Sequence, residues 1–220
     1  MSPLRTFHEL STRVFDTLLS TIAIIFLAPV LASLAVAISL DSRGPVVFTQ
    51  ARLGKRGNHF KMYKFRSMIE NAENIGTGLF NYRDDPRVTR VGHFMRKTSL
   101  DELPQLLNIL KGDMSFVGPR PPLTYELGNY SQFTERLKKR FAVRPGMTGY
   151  AQMSGRNELS WDQKIQYDLQ YIDSFYKWGL LLNLTILVLT FFVVILMKGS
   201  YELKENAQAD ARRVDKAANE

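Results

Sequence analysis

The sequence predicts a helix-rich α/β domain of the α+β kind with a short β-hairpin, attached to an N-terminal re-entrant membrane helix-break-helix. Three observations carry that expectation. Thr17 to Leu40 holds no charged side chain and is interrupted by Pro29; two β-like runs flank Gly54 and Gly57; and Leu103, Leu106, Leu107 and Leu110 recur at helical spacing before Gly112. The 220 residues, 45% of them hydrophobic, suffice for one domain with appendages and exclude a disordered chain. A net charge of +8 calls for anionic partners: phosphorylated substrates, acidic lipid headgroups or nucleic acid. The absence of cysteine removes disulfide and thiolate chemistry, and His8, His59 and His93 lack zinc-ligand spacing.

The first segment, 1–41, is long enough to cross a bilayer: its 24 uncharged residues make a helix of about 36 Å. Pro29 removes a backbone donor near its centre, so a break is expected at Ala28-Pro29. Arg5 and Arg13 precede the stretch while Arg43, Arg52, Lys55 and Arg56 follow it. Positive charge thus holds both flanks on the cytoplasmic side, which a re-entrant helix satisfies and a straight span does not. Asp16 and Asp41 bracket the stretch, as suits carboxylates held at an interface. A transmembrane anchor is the plain alternative; a signal peptide fits less well, because the apolar run is too long and basic residues follow it.

Residues 42–178 read as the cytosolic domain. Val46 to Gln50 and His59 to Tyr63 are the hairpin strands, and no acidic residue occurs from Arg43 to Arg66. Gly54-Lys55 is no P-loop, since Thr49 stands where that motif needs glycine. Beyond the hairpin, Asp101 and Glu102 fall in the first turn of the leucine-spaced helix, where the helix dipole favours carboxylates. Ser99-Leu100-Asp101-Glu102 also has the form of a capping box, which explains the pair without chemistry. Its surroundings add a second reading. Arg96 and Lys97 precede it, and Gly118-Pro119-Arg120-Pro121-Pro122 presents an arginine from a proline-stiffened loop. Carboxylates among arginines can share a divalent ion and a diphosphate, the requirements of phosphoryl transfer. The competing function is a basic, membrane-bound binding protein without catalysis. An acidic pair weakens polyanion binding, so no nucleic-acid partner is expected.

Residues 179–198 are again apolar, interrupted by Asn183, Thr185 and Thr190. Lys177 and Lys198 flank them, with Trp178 and Tyr201 as interfacial anchors, so a segment lying at the membrane surface is favoured over a second span. Residues 199–220 form a polar tail.

Taken in order, several blocks resemble the bacterial sugar transferases, the monotopic polyprenyl-phosphate phosphoglycosyl transferases. They are Phe48 to Gly54, Tyr63 to Met68, Ser99 to Gln105, Lys111 to Pro121 and Arg144 to Gly149. The length is similar to that of small members comprising the catalytic domain only. The resemblance implies a cytoplasmic-face enzyme of the bacterial inner membrane, with a UDP-sugar donor, a polyprenyl phosphate acceptor and membrane phospholipids as partners. It implies Asp101 as nucleophile through a covalent phosphosugar intermediate, with Glu102 beside it and Mg²⁺ bound at the two carboxylates. Arg96 and Arg120, in the loop of Pro119 and Pro121, would hold phosphate or nucleotide groups, with Lys64 and Arg66 as weaker candidates for the same field. Arg156 and Asn157, followed by Trp161 and Tyr167-Asp168, are similar to a region that handles N-acetylated or diacetamido sugars; glucose and galactose, and homo-oligomeric assembly, stay open.

Overall fold

A computed structural model describes residues 3–72, 85–155 and 159–195, so Arg156, Asn157 and the tail from 199 lie outside the described residues. The first helix, α1 (Pro3–Asp41), is 39 residues long and contains Pro29. Helical structure thus continues through Ala28-Pro29, where a break is expected from the sequence. Proline costs this helix the N–H that the Ile25 carbonyl would otherwise accept, and the long ladder on either side carries the backbone through. Among the described residues α1 is the one helix long and apolar enough to cross a membrane.

The faces of α1 are inverted relative to a helix of a soluble protein. Thr12, Asp16 and Ser20 are buried against the domain, followed at the same four-residue spacing by Leu34 and Ile38. Leu18, Ile22, Ile25 and Phe26 point outward, each at least half exposed. Asp16 is therefore a buried residue rather than an interfacial one, and its Oδ1 accepts the Phe116 N–H at 3.2 Å. Asp41 likewise turns inward to accept the Val91 N–H at 3.0 Å.

Strands β1 (Val47–Leu53) and β2 (His59–Phe65) form the expected hairpin, antiparallel from Val47↔Phe65 to Leu53↔His59. A 3₁₀ turn, Lys55–Gly57, joins them, with Arg56 at φ 57° and Gly57 at φ 77°. The Gly57 position is closed by the Tyr130 ring, so a Cβ there would overlap the ring as well as strain the backbone.

Helix α2 (Arg90–Thr98) starts at Thr89, whose hydroxyl accepts the Gly92 N–H at 3.0 Å. It stops at Ser99, which turns left-handed at φ 58°. A 3₁₀ turn, Leu100–Glu102, follows, and α3 (Gln105–Lys111) ends at Gly112 with φ 91°. Strands β3 (Ser115–Val117) and β4 (Gly146–Thr148) pair in parallel, and their backbones approach so closely at Gly118, Gly146 and Gly149 that a Cβ at any of them would strike main-chain atoms. Helices α4 (Glu135–Arg140), α5 (Tyr150–Ser154), α6 (Trp161–Trp178) and α7 (Leu180–Ile195) complete the described fold.

The main core lies where α3, β3, α6 and α7 converge on the inner face of α1, around Ile109, Met114, Ile172 and Ile186, none of which is more than 1% exposed. Each such side chain contributes about 1.5–3 kcal/mol of burial. A second cluster joins Leu34 and Ile38 of α1 to Phe65 and Met95, with Leu100 and Leu103 packed on its edge. The residues on either side of Asp101-Glu102 thus rest on the C-terminal half of α1.

The polar interruptions of α7 have specific partners. Asn183 is buried and its Oδ1 accepts the Tyr171 hydroxyl at 3.0 Å, while Thr190 bonds Thr148 at 2.7 Å between hydroxyls. Ile186 is buried between them, so one face of α7 is fixed to the domain. Leu181, Val188, Phe191 and Phe192 form the exposed opposite side.

Candidate active site

The carboxylate pair sits in the 3₁₀ turn between α2 and α3, and the expected capping box is absent. Ser99 serves as the left-handed C-cap of α2 and makes no side-chain cap bond to the turn after it. The α-helix begins at Gln105, after the carboxylate pair rather than before it, with Pro104, which lacks an N–H, in its N-cap position. A full capping box does form at α6, between Ser160 and Gln163, where the sequence analysis identified none.

Freed from capping, Glu102 turns to two cations. Its Oε1 accepts Lys64 Nζ at 2.9 Å and Arg120 Nη2 at 3.3 Å. Lys64, a weaker candidate from sequence, is thus a direct partner of the pair. Asp101 lies in the field of Lys64, Arg96 and Arg120, but among the described residues no hydrogen bond or ion pair is made to its carboxylate. Withdrawal from water pushes the Asp101 carboxyl above the ordinary aspartate value; Lys64 pulls it down, and the neighbouring Glu102 adds to the rise. Arg96 is aimed by Ser67, whose Oγ accepts its Nε at 2.9 Å.

Arg66 is not brought to this cluster. It is buried at the C-terminal end of α1, where its Nη2 donates to the carbonyls of Ile38 at 3.3 Å and Ser42 at 2.5 Å.

The loop that presents Arg120 is held at four consecutive carbonyls. Those of Pro119, Arg120, Pro121 and Pro122 accept, respectively, from the Gly146 N–H, the Arg140 guanidinium, the Arg52 guanidinium and the Leu53 N–H. Prolines bring acceptors without donors, and the surrounding structure supplies the donors. Arg140 in turn is paired with Asp168 of α6, Nε to Oδ2 at 2.6 Å, with both side chains 2% exposed. It also lies over the Trp161 ring, 5.2 Å from the centroid. Burial pushes the Asp168 carboxyl up while Arg140 opposes the rise. Trp161 and Asp168, which the resemblance puts in a sugar-handling region, are both buried and both contact Arg140.

Arg140 and Asn108 were missed from sequence, and Arg52 was named there only for its charge. Asn108 is fully buried and fastens α3 to β2, accepting the Tyr63 N–H at 2.9 Å and donating to the Lys61 carbonyl at 2.7 Å. A lone polar residue on the leucine-lined face of α3 was the available signal for Asn108; nothing local distinguishes Arg140 from the neighbouring Lys138 and Lys139.

Protein ligands for a metal number two at most here, since no group of three or more His, Cys, Asp or Glu side chains occurs among the described residues. Two carboxylates suit Mg²⁺, which commonly takes one or two from protein and the rest of its oxygens from water and substrate phosphates. They do not make a cage that would hold the ion without substrate.

The chain is similar to known proteins over most of its length. The family model described as "Bacterial sugar transferase" matches residues 7–197. The UDP-glucose:undecaprenyl-phosphate glucose-1-phosphate transferase of Escherichia coli is 40% identical over 207 residues, which cover 91% of this chain and 43% of that protein. The chain therefore spans less than half the length of that relative. Two shorter relatives are matched over most of their length. The exopolysaccharide production protein ExoY of Sinorhizobium fredii is 38% identical, with 90% of this chain and 91% of the relative covered. The uncharacterized sugar transferase EpsL of Bacillus subtilis is 40% identical, with 89% of each covered.

Replacing Asp168 by Asn leaves the Arg140 charge buried without its counter-charge. We expect a loss of about 3–5 kcal/mol in unfolding free energy, measured by denaturant unfolding in detergent; a loss below about 1 kcal/mol, the scale of a surface pair, would show that the pair does not support the loop.

Proposed function

The chain belongs to the bacterial sugar transferase family, and on that basis we propose that it transfers a sugar-1-phosphate from a UDP-sugar to undecaprenyl phosphate, releasing UMP, as a membrane step of polysaccharide or glycoconjugate synthesis. The observation that carries the reading is the unequal state of two adjacent carboxylates. Glu102 is engaged by Lys64 and Arg120, while Asp101 shares their field without a bond to either. A carboxylate that is oriented but not bonded can act as a nucleophile.

In the first step an Asp101 oxygen attacks the phosphorus that bears the sugar. The bond from that phosphorus to the bridging oxygen breaks, and its electron pair leaves with UMP. An aspartyl phosphosugar remains. In the second step an oxygen of undecaprenyl phosphate attacks the same phosphorus, the acyl-phosphate bond breaks, and Asp101 returns as a carboxylate beside the lipid diphosphate sugar. Arg120 binds donor phosphate from its rigid loop, Arg96 adds a second cation, and Lys64 with Glu102 sets the charge around the nucleophile. Asp101 or Glu102 would hold Mg²⁺, which would supply further neutralisation of phosphate charge. Among relatives whose names state a sugar, glucose and galactose recur, and these two donors are the first to test.

Contacts at both ends of α1 support a reading of its membrane arrangement. Glu9 pairs with Lys55 at 2.5 Å and Arg13 reaches Ile109, while at the other end Arg66 and Val91 bond Ile38 and Asp41. A helix tied to one domain before and after its apolar centre cannot place its ends on opposite sides of a bilayer. We read α1 as re-entrant, dipping into the cytoplasmic leaflet of the inner membrane with its outward apolar stripe in lipid.

Asp101→Asn should abolish UMP release from UDP-glucose or UDP-galactose in the presence of undecaprenyl phosphate, with membrane association retained; full turnover in this variant excludes the mechanism. Because attack needs the ionised carboxyl, the single-turnover rate should fall as pH drops through the raised Asp101 pKa. Lys64→Met removes the largest influence lowering that pKa, so the acid limb should move to higher pH, and a limb that stays in place would remove Lys64 from this role. Cysteines introduced at Thr6 and at Ser131, both exposed, should react with an impermeant reagent from the same side of sealed vesicles. Reaction from opposite sides would make α1 a span.

A further inference from the structure

We infer that α1 positions the carboxylate pair as well as attaching the chain to lipid, with Arg13 and Asp41 as positioning residues. The inference rests on the reaction proposed above and concerns how its nucleophile is held. Asp101 and Glu102 lie in the middle of a helix-turn-helix running from Arg90 to Lys111. Both far ends of that unit are fastened by α1. At its C-terminal end, where α3 leaves carbonyls without helical partners, Arg13 donates from Nη1 to the Ile109 carbonyl at 2.6 Å and from Nη2 to the Leu110 carbonyl at 2.7 Å. At its N-terminal end, Asp41 accepts the Val91 N–H, one of the unpaired donors in the first turn of α2, at 3.0 Å.

Between these two attachments the chain passes through Ser99 in a left-handed conformation, φ 58°. For a residue other than glycine this conformation is strained and persists only where the surroundings determine it. The bend that carries Asp101 is thus held from its ends, and α1 is the one helix that bonds both of them, alongside the ties of Asn108 to β2 and Arg144 to Gly112. Leu100 and Leu103, on either side of the pair, rest on the cluster that Leu34 and Ile38 of α1 help to build. Charged side chains on backbone groups make strong hydrogen bonds, so Arg13 and Asp41 transmit the position of α1 more firmly than apolar packing alone.

The other half of the site is fastened elsewhere. Arg120 is presented by a loop whose carbonyl is held by Arg140, and Arg140 is held by Asp168 of α6. Donor binding through Arg120 and orientation of the nucleophile on Asp101 therefore have separate anchors. Loosening the α1 anchors should slow the chemical step and leave donor affinity nearly unchanged.

The test uses the full chain in lipid nanodiscs with saturating UDP-sugar and no acceptor, following the burst of UMP. The burst rate constant reports chemistry per active site, and its amplitude reports how many sites are folded. For Arg13→Gln and Asp41→Ala we expect the rate constant to fall about tenfold, since misplacement by an ångström can cost up to about a hundredfold. The amplitude should stay near one per chain, and the donor concentration giving half the maximal rate should change by no more than about twofold. Asp41→Asn, which keeps an oxygen facing the Val91 N–H, should recover most of the rate. If Arg13→Gln does not fold, Arg13→Lys, which keeps the charge but loses the two-pronged grip, takes its place with the same expectation. Reduced amplitude at an unchanged rate constant would mean that these residues only stabilise the fold, and an unchanged burst would mean that they do nothing; either overturns the inference. Absence of a burst from the unsubstituted chain would instead overturn the covalent reaction itself.

Discussion

Everything in this fold is arranged around a helix that meets two solvents at once. One face of α1 lies against protein and carries Thr12, Asp16 and Ser20, while the other exposes large apolar side chains along the length of the helix. A buried carboxylate or guanidinium is tolerated only with a partner, so the domain must offer groups at matching intervals along the helix. It offers the Ile109 and Leu110 carbonyls to Arg13, the Phe116 N–H to Asp16 and the Val91 N–H to Asp41. Those groups belong to α3, β3 and α2, and α2 and α3 flank the carboxylate pair. Attachment to lipid and assembly of the site are consequently one structural problem with one solution.

Within the site, charge is distributed so that adjacent carboxylates differ. Two acids at consecutive positions repel, and each raises the other's affinity for a proton. Lys64 and Arg120 relieve that repulsion by engaging Glu102, which becomes a fixed counter-charge. Asp101 keeps the benefit of both cations through space and keeps its oxygens available. With Arg96 also close, three cations face two carboxylates, a surplus that favours arrival of a diphosphate. The stiffness of the proline loop matters for the same reason: an arginine whose backbone is bonded at four successive carbonyls loses little freedom when a phosphate arrives.

Much of this was legible in the sequence, and the parts that were not share a cause. The hairpin, the stop at Gly112 and the apolar character of the first segment follow from local pattern, and all are present. The capping box at Ser99 was misread because its four residues fit the motif, whereas the preceding helix ends there and claims Ser99 as its own terminus. Competition between adjacent helices for one residue is invisible to a pattern read in one direction. Asp16, placed at an interface by its position beside an apolar run, is buried because of a strand 100 residues away. Arg66 fell into the basic field by proximity in sequence, yet it serves the end of α1. Lys64, two residues earlier, lies within β2; strand alternation would put residues 64 and 66 on one face, but the strand ends at Phe65 and Arg66 turns away. Buried charge pairs such as Arg140 with Asp168 are the least legible of all, since their spacing of 28 residues carries no periodic signal.

The distance in sequence between α1 and its partners has a temporal meaning. The contacts of Arg13 and Asp16 reach 96 and 100 residues ahead, and at a synthesis rate of roughly 5–20 residues per second those partners emerge about 5–20 seconds after α1 itself. During that interval the outer stripe of α1 has lipid to enter, but its inner face has nothing to bond. A helix with an arginine and an aspartate awaiting partners rests more stably at the headgroup level than in hydrocarbon. On the proposed membrane arrangement the chain would be held at the bilayer surface while the domain is still being made, and the domain would fold onto a helix already lying there.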